Sequence, residues 1–428
     1  MATLIVQRTD QLCGTVEAPP SKSYTHRAVI ASSLADGTSN IINPLLSDDT
    51  LATVDACKKL GVKIELRYAK WIINGKSRFG NSPGIIECRE SASTIRFLMP
   101  VSALAPGISI LTGGPSLSGR PMGPLLQALS QLGVKCYSTK ENSYPPIIVF
   151  GGGITGGEVA MPGDISSQFI SGLLFACPLA KEETRLRLTT QLESRPYVQM
   201  TLKVLEKHGI TINASKDLQH YRIPPSQNYK PADHVVPGDF SAAAFLMAAA
   251  AITGSKIRIT NLCPNSTQGD EAILGILKSM GAGIKVKEKQ VEVCGGSLRG
   301  VKLDAKDIPD LIPVCAALAC YAEGKTKIFN ARRLRFKESD RLAAIHTELT
   351  KMGGNIVERE DGFIIDGSSP LHGAEVDPHD DHRIAMACAI AALNAKGVTR
   401  IKNPRCINKS YPNFIRDLKT LGGKVNVQ

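Results

Sequence analysis

Aromatic residues are scarce in this chain. Phe, Tyr and Trp together make up 5% of 428 residues, and Trp71 is the one tryptophan. Small and aliphatic side chains must therefore fill much of the interior. None of the eleven cysteines forms a Cys-x-x-Cys pair, which excludes a zinc knuckle and a thioredoxin-type motif. Their odd count and scattered positions fit free thiols in a reducing compartment better than a disulfide framework. The longest apolar run, 242–252, falls well short of the roughly 20 residues a membrane span needs. Residues 1–10 lack the basic-then-apolar pattern of a signal peptide, so the expected location is cytoplasmic and no membrane partner is expected. There is no basic tail and no Lys/Arg stripe interleaved with aromatics, which argues against nucleic acid as a partner. No GxxxxGK[ST] segment occurs, so a P-loop is excluded. Gly151-Gly-Gly-Ile-Thr-Gly156 has the GxGxxG form, but the following Gly157-Glu-Val-Ala-Met-Pro162 does not read as a helix, which excludes a dinucleotide site.

What is present is the composition of a globular protein, 43% hydrophobic and 21% charged, at a length that implies two or three domains. The net charge is +12, which attracts anions. Many Lys and Arg stand singly beside Ser, Pro, Gly or Asp, a pattern of scattered phosphate-binding positions. A local motif recurs along the chain: a helix-like stretch, a glycine, then a strand-like stretch. Its glycines are Gly61, Gly133, Gly209, Gly281, Gly353 and Gly422, at intervals of 72, 76, 72, 72 and 69 residues. A near-constant period means one supersecondary unit copied six times, with each glycine as a left-handed helix stop. In the fourth copy, 241–253 and 268–280 read as helices and 256–260 as a strand. The expected architecture is α/β, two domains of three units each. Prolines at 225, 231 and 237 mark 225–237 as a linker, and Pro19-Pro20 is a second breaker. If the first strand belongs to the far domain, the chain crosses twice, giving a hinged molecule with a cleft.

The polar motifs cluster where helices should begin: Pro20-Ser-Lys-Ser-Tyr-Thr-His-Arg27 before 28–34, Ser166-Ser-Gln168 before 169–179, Ser194-Arg-Pro-Tyr197, Asp310 before 311–320, and Asp381-His-Arg383 before 384–393. A helix N-terminus presents free N–H groups and partial positive charge, so it attracts phosphate. The plainer reading of each Ser or Asp is an N-cap. Cations at Lys22, Arg27 and Arg383 oppose the dipole unless an anion is present, which favours a binding role. In Arg335-Phe-Lys-Glu-Ser-Asp-Arg341, the plainer reading is an exposed helix with i,i+4 ion pairs. Lys337 and Arg341 are like charges, and an anion between them would relieve their repulsion. His379-Asp-Asp-His382 has metal-ligand residue types, but adjacent Arg383 would repel a cation.

Taken in order, Pro20-Ser-Lys-Ser-x-x-x-Arg27, Gly119-Arg-Pro-Met122, Ser166-Ser-Gln168, Ser194-Arg-Pro-Tyr197, Asp307-Ile-Pro-Asp310, Lys337-Glu-Ser-Asp-Arg341 and Asp381-His-Arg383 resemble the motifs of the 5-enolpyruvylshikimate-3-phosphate (EPSP) synthase family. They run from residue 20 to Lys409, nearly the whole chain. The resemblance implies two inside-out α/β domains, each of three βαβαββ repeats, joined by a two-stranded hinge: 1–19 plus 236–428, and 20–235. It implies transfer of the enolpyruvyl group of phosphoenolpyruvate to the 5-hydroxyl of shikimate 3-phosphate. Shikimate 3-phosphate would be held by Ser23, Arg27, Ser166, Ser167, Gln168, Ser194, Tyr197, Asp310 and Lys337. Phosphoenolpyruvate would be held by Lys22, Ala92, Arg120, Gln168, Arg341, Arg383 and Lys409. Asp310, Glu338 and Lys22 would be catalytic, with the acid and base roles of the two carboxylates left open. No metal or organic cofactor is implied, and the expected state is a monomer.

Two departures from the family pattern matter. The donor loop usually reads Gly-Asn-x-Gly-Thr with Arg three residues on; here it is Arg89-Glu-Ser-Ala-Ser93 with Arg96. Glu90 brings negative charge near an anionic donor. Ala92 adds a methyl where the family's Gly leaves room for the inhibitor glyphosate, which implies an enzyme insensitive to it. In addition, Arg333 stands where some members place an Asn. The rival readings are a UDP-N-acetylglucosamine enolpyruvyl transferase, which shares fold and donor but usually carries an acid Cys absent from the 119–122 loop, and a basic polyanion- or RNA-binding protein.

Overall fold

The structure is a computed structural model that describes residues 2–80, 82–367 and 369–428. It divides into two compact units, Met1–Pro19 with Pro237–Gln428, and Pro20–Val236. The chain thus passes from one to the other at the Pro19-Pro20 pair and returns at Pro237.

Among the described residues the strands form six four-stranded sheets, all wired alike. In one, Gly84–Glu87 runs parallel to Ile108–Thr112, which pairs antiparallel with Ile147–Phe150, which pairs antiparallel with Cys136–Ser138. With the helices Ala92–Ser102 and Gly123–Gln131 between them, the chain order is βαβαββ. Three copies are completed by strands remote in sequence. His234–Val235 runs parallel to Gly37–Ile42, Thr3–Gln7 pairs with Val398–Lys402 and Val425–Val427, and Cys13–Glu17 runs parallel to Lys256–Thr260. The stretch expected to be only a linker, 225–237, therefore contains a strand. Two residues between prolines are too short to show any alternation.

The period of about 72 residues is the period of these units. All six repeat glycines are left-handed, with φ between 74 and 102°, and each ends a helix, as only Gly does without strain. Each sheet shows the alternation of a half-buried strand, for example Thr184–Leu188 with Arg185 and Arg187 outward and Leu186 inward. The sheets face water and the first helix of each repeat lies inside. Phe240–Ile252, Ile312–Ala319 and His382–Ala392 pack together and are buried along their whole length. Their alanines permit close helix contact, which is how a core poor in aromatics is filled. In the other unit Ala92–Ser102 packs against Lys22–Ser33 and Ser167–Ala176. The helix expected over 268–280 opens as a 3-10 turn, Gly269–Ala272, before Ile273–Met280. Among the described residues no helix is long and apolar enough to cross a membrane.

Candidate active site

In the Pro20–Val236 unit the core helices begin with serine caps. Ser21, Ser91 and Ser166 accept from the N–H groups of Tyr24, Thr94 and Gln168. A neutral cap satisfies one donor and leaves the positive end of the helix dipole uncancelled. The motif residues lie inside these first turns rather than ahead of them, because Lys22 and Ser167 are the first helical residues. Lys22 Nζ meets Asp49 at 2.9 Å. The Asp49 carbonyl accepts from Thr94, which also bonds Thr53 and Ser91.

Arg27 is 2% exposed and spreads its guanidinium over neutral acceptors, Thr201 Oγ1 at 2.8 Å, Ser23 O at 2.9 Å and Tyr197 O at 3.1 Å. Burial pushes its pKa down to about 10, so it remains a cation at neutral pH. Arg96 lies over the Phe169 ring and donates to Gln168 Oε1 at 3.0 Å and Ser166 Oγ at 3.4 Å. Gln168 Nε2 in turn donates to Ser93 at 2.8 Å. Ser167 and Ser194 are buried, and Ser194 holds a left-handed conformation ahead of the helix Arg195–Lys207. Arg120, 4% exposed, donates to Ser116. Ala92 opens its helix and is 6% exposed. The Glu90 carboxylate turns onto the Leu117 N–H at 2.9 Å, and it lies where a Cβ on Gly114 would project. Its charge is thus engaged by the first turn of the helix Pro115–Ser118.

The other unit reverses the caps. Asp239 caps Phe240–Ile252 and Asp381 caps His382–Ala392, while Asp310 sits in the 3-10 turn leading into Ile312–Ala319. Asp310 and Asp381 gather cations. Asp310 accepts from Arg341 at 3.0 Å, Arg383 at 3.1 Å and Lys337 at 3.4 Å. The anion expected between Lys337 and Arg341 is therefore supplied by the chain itself. Burial raises the Asp310 carboxyl, but Arg383, Lys337 and Arg341 outweigh it and hold it well below its ordinary value. Burial pushes Lys337 down to about 8, against the opposing pull of Asp310.

Arg341 is 1% exposed and also binds Glu338 at 2.8 Å and Asp381 at 2.7 Å. Burial lowers its pKa, yet Asp381, Glu338 and Asp310 raise it above its ordinary value. The exposed-helix reading of 335–341 does not hold. Arg332–Phe336 is a 3-10 turn, Lys337 is extended, and Asp340 caps a helix that starts only at Arg341. Lys409 donates to Asp380 O at 2.8 Å, one residue before Asp381. Arg333 donates to the Lys306 carbonyl. Among the described residues no cluster of three His, Cys, Asp or Glu side chains could hold a metal ion. Asp49 and Asp381 escaped the sequence reading as partners of site cations, and Ser93 as the partner of Gln168. Asp381 had a signal, an acidic N-cap next to a histidine and an arginine; Asp49 and Ser93 had none beyond their places in first helical turns.

Six βαβαββ units, with cations at the helix starts of Lys22, Arg341 and Arg383, define the two-domain enolpyruvyl transferase fold. The enolpyruvyl transferase NikO from Streptomyces tendae superposes over 100% of this chain and 99% of its own, with a TM-score of 0.81 at 20% identity. An EPSP synthase from Acinetobacter baumannii reaches a TM-score of 0.83 at 28% identity, over 100% of this chain and 99% of that one. Residues 6–418 match the family model of EPSP synthase (3-phosphoshikimate 1-carboxyvinyltransferase). A 3-phosphoshikimate 1-carboxyvinyltransferase of Methanocaldococcus jannaschii is 47% identical over the full length of both chains. One of Methanocella arvoryzae is 47% identical over 97% of each. The chain belongs to the EPSP synthase family.

Proposed function

We propose that this chain transfers the carboxyvinyl (enolpyruvyl) group of phosphoenolpyruvate to the 5-hydroxyl of shikimate 3-phosphate and releases phosphate. The observation that carries this beyond family membership is the carboxylate Asp310 ringed by Lys337, Arg341 and Arg383. Such a ring keeps the carboxylate ionised beside bound anions, the protonation state from which it can accept a proton.

Addition comes first. C3 of phosphoenolpyruvate gains a proton and becomes a methyl group while the 5-hydroxyl oxygen bonds C2 and loses its proton. Elimination follows: the C2–O bond to phosphate breaks and C3 gives a proton back, leaving the vinyl ether. Asp310 and Glu338 share the proton transfers. Anions bound by Lys337 and Arg383 draw on the cations that depress Asp310, and so lift its carboxyl toward the range where it can take a proton. Lys22, Arg120, Gln168, Arg341, Arg383 and Lys409, with Ala92 at their edge, hold phosphoenolpyruvate. Ser23, Arg27, Ser166, Ser167, Gln168, Ser194, Tyr197, Asp310 and Lys337 hold shikimate 3-phosphate. The serine-capped helix starts add fixed dipoles already aimed at anions, which need no reorganisation as charge develops.

The two compact units are the two domains of the fold in this reading. Phosphate release measured with phosphoenolpyruvate and either shikimate 3-phosphate or UDP-N-acetylglucosamine tests it. Release with the first acceptor alone is expected, unaffected by chelators; release with the second would overturn the assignment.

A further inference from the structure

The helix Arg341–Lys351 holds the 377–383 loop at two points. At its first residue Arg341 binds Asp381 through Nε at 2.7 Å and Nη2 at 3.3 Å. Seven residues on, two turns along the same face, Glu348 holds the start of the loop. Its carboxylate accepts from the Asp377 N–H at 2.9 Å and from His379 Nε2 at 3.0 Å. A carboxylate only accepts, so the ring nitrogen donates. Lys351 adds contacts to both oxygens at 2.8 and 2.9 Å. The Glu348 side chain is 0% exposed. A carboxylate so placed is strongly held only while its donors stay in position.

Between these two grips the backbone is strained. His379 and Asp380 are consecutive left-handed residues, with φ of 52 and 55°, and neither is glycine. Such a conformation persists only where surrounding contacts over-determine it. The contacts here are Glu348 on His379, Asn403 Nδ2 on Asp380 Oδ1 at 2.6 Å, and Lys409 Nζ on Asp380 O at 2.8 Å. The strained pair thus touches Lys409 directly and runs into Asp381 and Arg383 in the next three residues. Lys409, Arg341 and Arg383 are the cations assigned above to phosphoenolpyruvate.

We propose that Glu348 is a positioning residue for the donor half of the site: through Asp377 and His379 it fixes the strained turn that sets Asp381, Arg383 and Lys409. The His379-Asp-Asp-His382 segment is then a clamped turn, with His379 the group the clamp holds. This rests on the proposed carboxyvinyl transfer for its kinetic consequence, though not for its structural one.

The test uses Glu348→Gln and His379→Asn in the full-length protein. Asparagine tolerates the left-handed conformation but cannot reach Glu348, and the His379 side chain is 42% exposed, so this variant folds even if Glu348→Gln does not. The KM for phosphoenolpyruvate is expected to rise about tenfold, the weight of one hydrogen bond to a charged group, while the KM for shikimate 3-phosphate stays unchanged. Hydrogen exchange over 377–383 should become faster with that of 341–351 unchanged, a readout that needs no turnover. A lower kcat with both KM values unchanged and unaltered exchange would make Glu348 merely structural and overturn the proposal. A wild type without turnover would overturn the assigned reaction instead, and the exchange measurement would still decide the clamp.

Discussion

Lys337 Nζ donates to Asp310 Oδ1 across 3.4 Å, and the two side chains are 28% and 20% exposed. Burial holds the Lys337 amine at about 8, well below its ordinary value. It therefore loses its charge as pH rises through about 8, while Asp310, held far below neutrality, stays ionised. The KM for shikimate 3-phosphate is expected to be flat from pH 6.5 to 7.5 and to climb above pH 8. In Lys337→Arg the climb should disappear, because guanidinium stays protonated. A wild-type KM flat to pH 9.5 would contradict this.

Lys22→Ala removes a cation from a helix start, and Asp310→Asn removes the negative charge shared by three cations. Each is expected to lower kcat by roughly a hundredfold or more, the scale of a single acid–base or electrostatic group. Circular dichroism should show both folded. Near-normal turnover in either would remove that residue from the mechanism.

The architecture was legible because it repeats. Six copies of one helix–Gly–strand pattern average out local ambiguity, and the left-handed glycines follow from helix termination alone. The strand His234–Val235 was not legible, since its pairing with Gly37–Ile42 spans almost the whole unit in sequence. In the site, cations beside helix caps could be read as anion seekers. What each one meets in the folded chain could not. Asp310 between Lys337 and Arg341, Asp49 on Lys22 and Glu90 on Leu117 all depend on side-chain direction between elements 27 to 31 residues apart within one repeat.

Ala92 is the first residue of its helix, beside Ser93, which binds Gln168. Glyphosate is longer than phosphoenolpyruvate, and one extra methyl in a closed site costs about 1–3 kcal/mol. Ala92→Gly is expected to increase glyphosate inhibition more than it changes the KM for phosphoenolpyruvate. Inhibition curves at matched saturation check this; coincident curves would mean that Ala92 does not face the inhibitor.

Two buried histidines make the Pro20–Val236 unit acid-sensitive. His208 Nε2 meets His234 Nε2 at 2.9 Å, Nδ1 of His208 donates to Lys230 O, and the Tyr24 hydroxyl meets His234 Nδ1 at 3.2 Å. Burial pushes the two rings down to about 4 and about 3. The unfolded chain takes up these protons as pH falls through about 6.5, while the folded rings stay neutral. Their contribution is complete above that pH and is lost toward pH 4, at up to about 1.4 kcal/mol per pH unit for each ring. The thermal midpoint should fall between pH 7 and 5, and fall less in the His208→Gln/His234→Gln variant. Equal falls would contradict the buried-neutral assignment.

The reaction itself is tested most directly in deuterium oxide with both substrates present. If C3 of phosphoenolpyruvate becomes a methyl group and then returns a proton, deuterium must enter the vinylic carbon. Proton NMR is expected to show a carboxyvinyl ether on the 5-oxygen of shikimate 3-phosphate, deuterated at its CH2 group, with inorganic phosphate formed in equal amount. Phosphate formed without the ether, or an ether carrying no deuterium, would contradict addition followed by elimination at this site.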